Sequence, residues 1–309
     1  MSTTRSSALV LASCASLQFG AATAVGLFDT LGTWGVTFLR LSIAGALLLV
    51  IARPALRTWA RGDWRTVVFF AVMMAAMNGF FYASLDRIPM SAAVAIEFIG
   101  PLVYAGLTSR RRGDLVWVGL AAAGMAVLGL EALSDAALDP LGMLLALIAG
   151  VFWVGYIVGS AAVGRRIPGT GGLAVAMLLG GLMLAPVGRV AVEGISADPW
   201  ILVPAVVTAL MASVIPYSLE LAALRRLPSA VFSVLISLEP AFAALAGFAL
   251  LDQELTAMRG VTIVLVIAAS VGITWSAHLR ADRPAPPDRS TQEEPARRPL
   301  LRRRTPSPQ

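Results

Sequence analysis

The sequence predicts an all-α membrane protein of ten transmembrane helices, arranged as two inverted five-helix repeats. Three observations predict it. Of the 309 residues, 58% are hydrophobic and 14% are charged, with a mean hydropathy of +0.80. A soluble domain has about 25% charged residues, so this chain has too little polar surface to solvate a globule. The apolar residues also fall in continuous runs of about 20, the length that crosses a bilayer as a helix, and not in the alternating ten-residue segments of a barrel. Finally, one spacing recurs: Pro89 and Pro228, Pro101 and Pro240, and Arg87 and Arg226 are each 139 residues apart.

In chain order the predicted spans are residues 8–28, 33–52, 66–85, 90–108, 115–132, 140–163, 172–190, 199–223, 228–251 and 258–279. The first run exceeds the 7–15-residue apolar core of a signal peptide, so an uncleaved span is expected. Short connections leave no room for a soluble domain. Residues 1–7 form a short cytoplasmic N-terminus, 8–132 the first repeat and 140–279 the second. Residues 280–309 hold eight arginines and seven prolines and read as a disordered cytoplasmic tail. Cys14 is the only cysteine and His278 the only histidine. That excludes an intramolecular disulfide and argues against a Cys/His metal site; Cys14 reads as a small packing residue.

Every basic side chain is arginine. With the N-terminus inside, 20 arginines fall on inside segments: Arg5; Arg53, Arg57, Arg61 and Arg65; those at 110–112; Arg165 and Arg166; Arg225 and Arg226; and eight in the tail. Only Arg87, Arg189 and Arg259 fall outside. By the positive-inside rule both termini are cytoplasmic, in a cell membrane. The same distribution explains the net charge of +6 without nucleic acid. A repeat of five spans is odd in number, so the second copy inserts upside down, a common construction of secondary transporters.

Few polar residues lie within the spans. Glu97 and Arg40 are each seven residues in from the outside, about 11 Å deep, and Glu239 is about 17 Å from the inner boundary. Gln18 and Asn78 fall near the middle as well. A charge at that depth costs about 2.5–3.5 kcal/mol. Two remedies are available: Arg40 pairs with one glutamate, and the other glutamate is protonated. A protonated glutamate can carry a proton, and a guanidinium can hold a substrate carboxylate. Glu97 and Glu239 are therefore proton-coupling candidates. A purely structural Arg40–Glu97 pair is the competing reading. Glu220, near the inner end of the eighth span, can reach water or Arg225 and reads as structural.

Pro101 and Pro240 fall within spans, where each frees a carbonyl and predicts a kink lining a cavity; Pro89 and Pro228 occupy permitted helix starts. Trp153 and Tyr156, one turn apart, face a cavity or pack in the core equally well. Segments such as GLAAAGMAVLG at 119–129 allow close helix contact. No nucleotide-binding GxxxxGK[ST] motif and no nucleophile–base set is present, so neither a cofactor nor an enzyme is expected.

Over residues 8–279 the chain resembles the EamA family of the drug/metabolite transporter superfamily, most of all its threonine/homoserine exporters. The matching stretches are SLQFGAA at 16–22, VTFLRLSIAG at 36–45, AVAIEFIGPL at 93–102, SRRRGDLVWV at 109–118, PYSLELAALRRLP at 216–228 and SLEPAFAALAGFALLDQEL at 237–255. The resemblance implies export of small amino acids coupled to proton entry, with substrate bound between the repeats and alternating access. On that pattern the substrate residues are Arg40, Asn78, Glu97, Trp153, Tyr156 and Glu239, and Glu254 is structural. The partners are then a small-molecule substrate, protons and the lipid bilayer. The competing classes are an uncoupled permease for another metabolite or drug and a membrane-embedded enzyme or scaffold.

Overall fold

The computed structural model of the chain describes residues 3–108, 115–132, 138–224 and 235–281. The arginines at 110–112, Arg225, Arg226, Pro228 and the tail from 282 onward lie outside the described residues. Among the described residues every regular element is a helix and no strand occurs.

The helices are α1 (Thr3–Val25), α2 (Phe28–Ala52), α3 (Arg61–Leu85), α4 (Met90–Glu97), α5 (Ile99–Thr108), α6 (Leu115–Ala132), α7 (Pro140–Arg166), α8 (Gly171–Leu184) and α9 (Arg189–Ala197). They are followed by α10 (Leu202–Ala209), α11 (Ile215–Leu224), α12 (Glu239–Leu250) and α13 (Ala257–Ala281). Five stretches are long and apolar enough to cross a membrane: Ser6–Val25, α2, α3, α7 and Pro199–Glu220. Shorter apolar helices lie at Met90–Tyr104, Leu115–Gly124, Glu239–Leu250 and Ala257–Gly272. Their outward faces are apolar, with Val50, Ile51, Val151, Phe248 and Val264 all exposed, as suits contact with lipid.

Local chemistry sets the helix ends. Asp139 caps α7 by accepting from Leu141 N at 2.9 Å, with Pro140 in the first position. Asp63 caps α3 by accepting from Ala60 N at 2.9 Å. α2 ends where Arg53 turns left-handed, with φ 43°.

Several spans differ from the sequence expectation. The seventh, expected as one helix over 172–190, ends at Leu184, and α9 leaves it at 85°. α8 is therefore about 21 Å long, and α9 lies over the start of α2, where a Cβ on Gly35 would come within 3.0 Å of Ala191. Arg189, expected in a loop, is the first residue of α9. The fourth span is interrupted at Phe98, between α4 and α5. The eighth begins as a 3-10 turn at Pro199–Ile201 and passes through a π-helical segment at Leu210–Val214. The π segment has a local cause: Pro216 has no N–H to continue the ladder, and Ser16 Oγ donates to Met211 O at 2.7 Å in its place.

α3 packs on α7, α2 on α8, α6 on α13, α4 on α12, and α1 on the α10–α11 segment. Small residues make the closest of these contacts. On Gly45 a Cβ would meet Leu178 N at 2.4 Å, so α2 and α8 touch backbone to backbone. α3 and α7 are antiparallel, with an ion pair near each end: Arg87–Asp139 at 2.8 Å and Asp63–Arg166 at 3.6 Å.

Candidate functional site

The bundle encloses a cavity of about 630 Å³. All six predicted substrate residues, Arg40, Asn78, Glu97, Trp153, Tyr156 and Glu239, line it, together with Gln18, Pro101 and Glu220. One end reaches Gly164, Gly169 and Thr170 at the α7–α8 connection. At the opposite end of the bundle the elements are tied together. There Arg87 meets Asp139, and the first N–H of α4, at Met90, donates to Gln253 Oε1 at 3.0 Å.

Arg40 departs from the expected ion pair. Its guanidinium takes neutral partners: Nη1 donates to Tyr82 Oη at 2.7 Å, and Nη2 donates to Asn78 Oδ1. Asn78 Nδ2 donates to Met74 O at 2.8 Å, which fixes the amide with its oxygen toward Arg40. The guanidinium carbon also lies 4.9 Å from the centroid of the Tyr82 ring, in cation–π range. Asn78 and Tyr82 are four residues apart on α3, so both present to the same point on α2. Arg40 is only 2% exposed, and among the described residues its Nε has no hydrogen-bond partner. Tyr82 and Asn78 take two of the five guanidinium N–H groups.

The carboxylates are placed differently. Glu97 and Glu239 are 8% and 6% exposed, and among the described residues neither has a hydrogen-bond or ion-pair partner. Glu239 lies close enough to Glu97 and to Glu220 for their charges to interact. Gln18, 3% exposed, lines the same cavity, and among the described residues its Oε1 has no hydrogen-bond partner.

The helix interruption at Phe98 places Glu97. Pro101 cannot donate to the Glu97 carbonyl, four residues back. The α7 backbone packs into the gap: a Cβ on Gly150 would come within 2.5 Å of Glu97 O, and one on Gly100 within 2.1 Å of Gly150 O. Only glycine allows this contact. The counterpart interruption covers residues 237–238, so Pro240 is the second residue of α12 and starts that helix instead of kinking its middle. Pro240 is buried beside Glu239 but is not part of the lining.

A sequence profile of the EamA-like transporter family matches residues 140–275. The threonine/homoserine exporter RhtA of Escherichia coli (strain K12) is 36% identical over 267 residues, covering 86% of this chain and 90% of that protein. RhtA of Salmonella typhimurium (strain LT2) is 36% identical over 268 residues, with the same coverage. This chain belongs to the EamA-like transporter family. It is therefore a membrane transporter and not an enzyme, and the central cavity of this EamA-like chain is read as a transport site. One crystallised protein, 16% identical, matches 90% of this chain and 99% of its own with a TM-score of 0.57, which speaks to the fold alone.

Some placements in this EamA-like transporter were not legible in the sequence. Glu220, expected to reach water or Arg225, lines the cavity and accepts from Ser13 Oγ at 2.8 Å; Arg225 lies outside the described residues. Tyr82, the second anchor of Arg40, and Tyr217, in the lining, were not singled out. The available signal was the polar pair Asn78 and Tyr82 at i, i+4 in an apolar helix. Trp153 packs edge-on against Phe98 with ring centroids 4.7 Å apart, and Tyr156 lies 5.1 Å from Phe70 and 6.3 Å from Tyr217. Glu254 is exposed outside the cavity, and its carbonyl accepts from Arg259 Nη1 at 3.0 Å. Arg259, expected in an outside loop, is buried in the first turn of α13.

Proposed function

We propose that this chain exports small amino acids of the threonine/homoserine type across the cell membrane, by proton antiport with alternating access. The observation that carries the reading is the pairing, in one cavity, of a fixed guanidinium with two buried carboxylates that have no hydrogen-bond or ion-pair partner among the described residues. An amino-acid zwitterion has the complementary charges. Arg40 receives the carboxylate on its remaining N–H groups, held in place by Asn78 and Tyr82. Glu97 and Glu239 receive the ammonium, while Trp153 and Tyr156 wall the apolar part. Without substrate, a lone buried carboxylate is costly and holds a proton. Ammonium and proton then compete for the same oxygens, and that competition couples their opposite movements.

Ten spans in two inverted repeats fit the packing. Under a shift of 139 residues, the α3–α7 pair maps onto α1 with the α10–α11 segment, while α2–α8 and α6–α13 map onto themselves. The interruption at Phe98 maps onto 237. The arginine distribution supports cytoplasmic termini. On that orientation the cavity faces the cytoplasm, and the Arg87–Asp139 and Met90–Gln253 ties close the outer side.

The test is efflux of labelled threonine and homoserine from cells overproducing the chain, with a Glu97→Gln version at equal membrane abundance. Faster efflux from the wild type alone, abolished by an uncoupler, is the expected result. No excess efflux from well-inserted protein would refute the substrate. The alternative, a permease for another small metabolite or drug without proton coupling, is favoured by the cavity volume, which exceeds the needs of one small amino acid. A substrate panel with and without uncoupler separates the two.

A further inference from the structure

We propose that Ser13 and Glu220 form a proton exit relay between Glu239 and the cytoplasm, a role that rests on the antiport reading above. Glu220 is four residues before Leu224, the last described residue of α11, about 6 Å along the helix. That end is on the same side of the bundle as the start of α1, and α1 runs antiparallel to α10–α11 through the Ser13–Glu220, Ser16–Met211 and Thr23–Thr208 contacts. Glu220 lines the same cavity as Glu239, and the two are close enough for their charges to interact.

The hydrogen bonding of Ser13 suits a group that changes protonation. Ser13 is fully buried, and its Oγ lies 2.8 Å from Glu220 Oε1 and 3.2 Å from Pro216 O. A hydroxyl has one proton to donate and lone pairs to accept with. When Glu220 is ionised, Ser13 donates to the carboxylate. When Glu220 is protonated, the carboxyl donates to Ser13 Oγ, and Ser13 turns its own proton to Pro216 O. One hydroxyl rotation thus satisfies both states without moving a helix. Among the described residues the other titratable groups facing Glu220 are Cys14 on α1, Tyr156 on α7, Tyr217 on α11 and Glu239 on α12. None of these is a cation, and Glu220 makes no ion pair among the described residues. In the relay, the proton leaves the Glu239 carboxyl for the Glu220 carboxylate. It then passes from Glu220 to water at the cavity end near the α7–α8 connection, leaving Glu239 ionised for the next ammonium.

The test uses the full chain in proteoliposomes with labelled homoserine, comparing net transport driven by a pH gradient with homoserine–homoserine exchange. Exchange requires substrate binding and the alternating step but no proton release. Glu220→Gln is expected to lower net transport about tenfold or more while exchange stays within about threefold. Ser13→Ala is expected to lower the ratio of net transport to exchange by a smaller factor, and Glu220→Asp to recover part of it. Wild-type net transport in Glu220→Gln overturns the proposal. So does an equal loss of net transport and exchange in protein that elutes as folded, which would make Glu220 a substrate residue. An unchanged ratio in Ser13→Ala overturns the role of the hydroxyl. If the wild type itself ignores the pH gradient, the antiport reading fails first, an outcome distinct from failure of the relay alone.

Discussion

The cavity's guanidinium and its two central carboxylates are held in opposite ways. Arg40 is bound by Asn78 and Tyr82 and lies against the Tyr82 ring. Glu97 and Glu239, equally buried, have no partner among the described residues. A group that keeps its charge through a cycle gains from being positioned in advance, because its hydrogen bonds are correct at every stage. A group that must gain and lose a proton is hindered by a permanent partner that stabilises one state. The same contrast separates the interior from the surface, where Arg87 and Asp139 do form a direct ion pair.

The largest effect is expected where the contrast is removed from the acid side. Glu97→Gln and Glu239→Gln each mimic a permanently protonated carboxyl, so both proteins should insert normally and lose gradient-driven efflux. Normal transport in both would break the comparison outright. Next, Arg40→Lys keeps the charge but loses the planar fork that Asn78 and Tyr82 hold. Initial efflux rates should fall about 30-fold or more, the equivalent of about 2 kcal/mol or more; a wild-type rate would mean that any cation at this depth suffices.

Tyr82→Phe sharpens the comparison by removing one anchor and leaving Arg40 in place. Losing one hydrogen bond to a charged group, about 1.5–3 kcal/mol, should appear as a raised KM with a smaller change in kcat. Gly150→Ala tests whether the α7 backbone sets the position of Glu97. Its Cβ would meet Glu97 O at 2.5 Å, so overpacking should cost about 1–2 kcal/mol, read as a lower Tm in detergent and slower transport. The smallest effect belongs to the exposed pair. The Arg87 guanidinium, hydrogen-bonded to Asp139, holds its carboxyl below the usual carboxylate range. That stabilisation is present above the unfolded value of about 3.9 and is lost as pH falls through the folded value. The Tm difference between wild type and Arg87→Gln should therefore be small at neutral pH and vanish in acid.

Much of the architecture could be read directly along the chain. Hydropathy over about 20 residues decides between lipid and water, so the all-helical membrane class follows from composition and run length. The depth of Arg40, Glu97, Glu239, Gln18 and Asn78 followed from a fixed rise per residue, and all five line one cavity. The 139-residue spacing pointed to Pro101 and Pro240 as equivalent kinks, and the helix interruptions fall just before them, at Phe98 and at 237–238. Backbone detail was less legible. The 85° bend after Leu184 and the π segment before Pro216 depend on what α2 and α1 offer as neighbours, and hydropathy does not register either.

The sequence by itself determined which residues are charged and how deep they lie, because both are properties of one chain position and of a helix's fixed pitch. Only the tertiary structure decided who partners whom. Depth places residues in a common layer but not at a common azimuth, and the rotation of each helix is set by its packing. That rotation gave Arg40 to Asn78 and Tyr82 and not to a glutamate, left Glu97 and Glu239 on the cavity wall without a partner among the described residues, and brought Ser13 against Glu220 from 207 residues away.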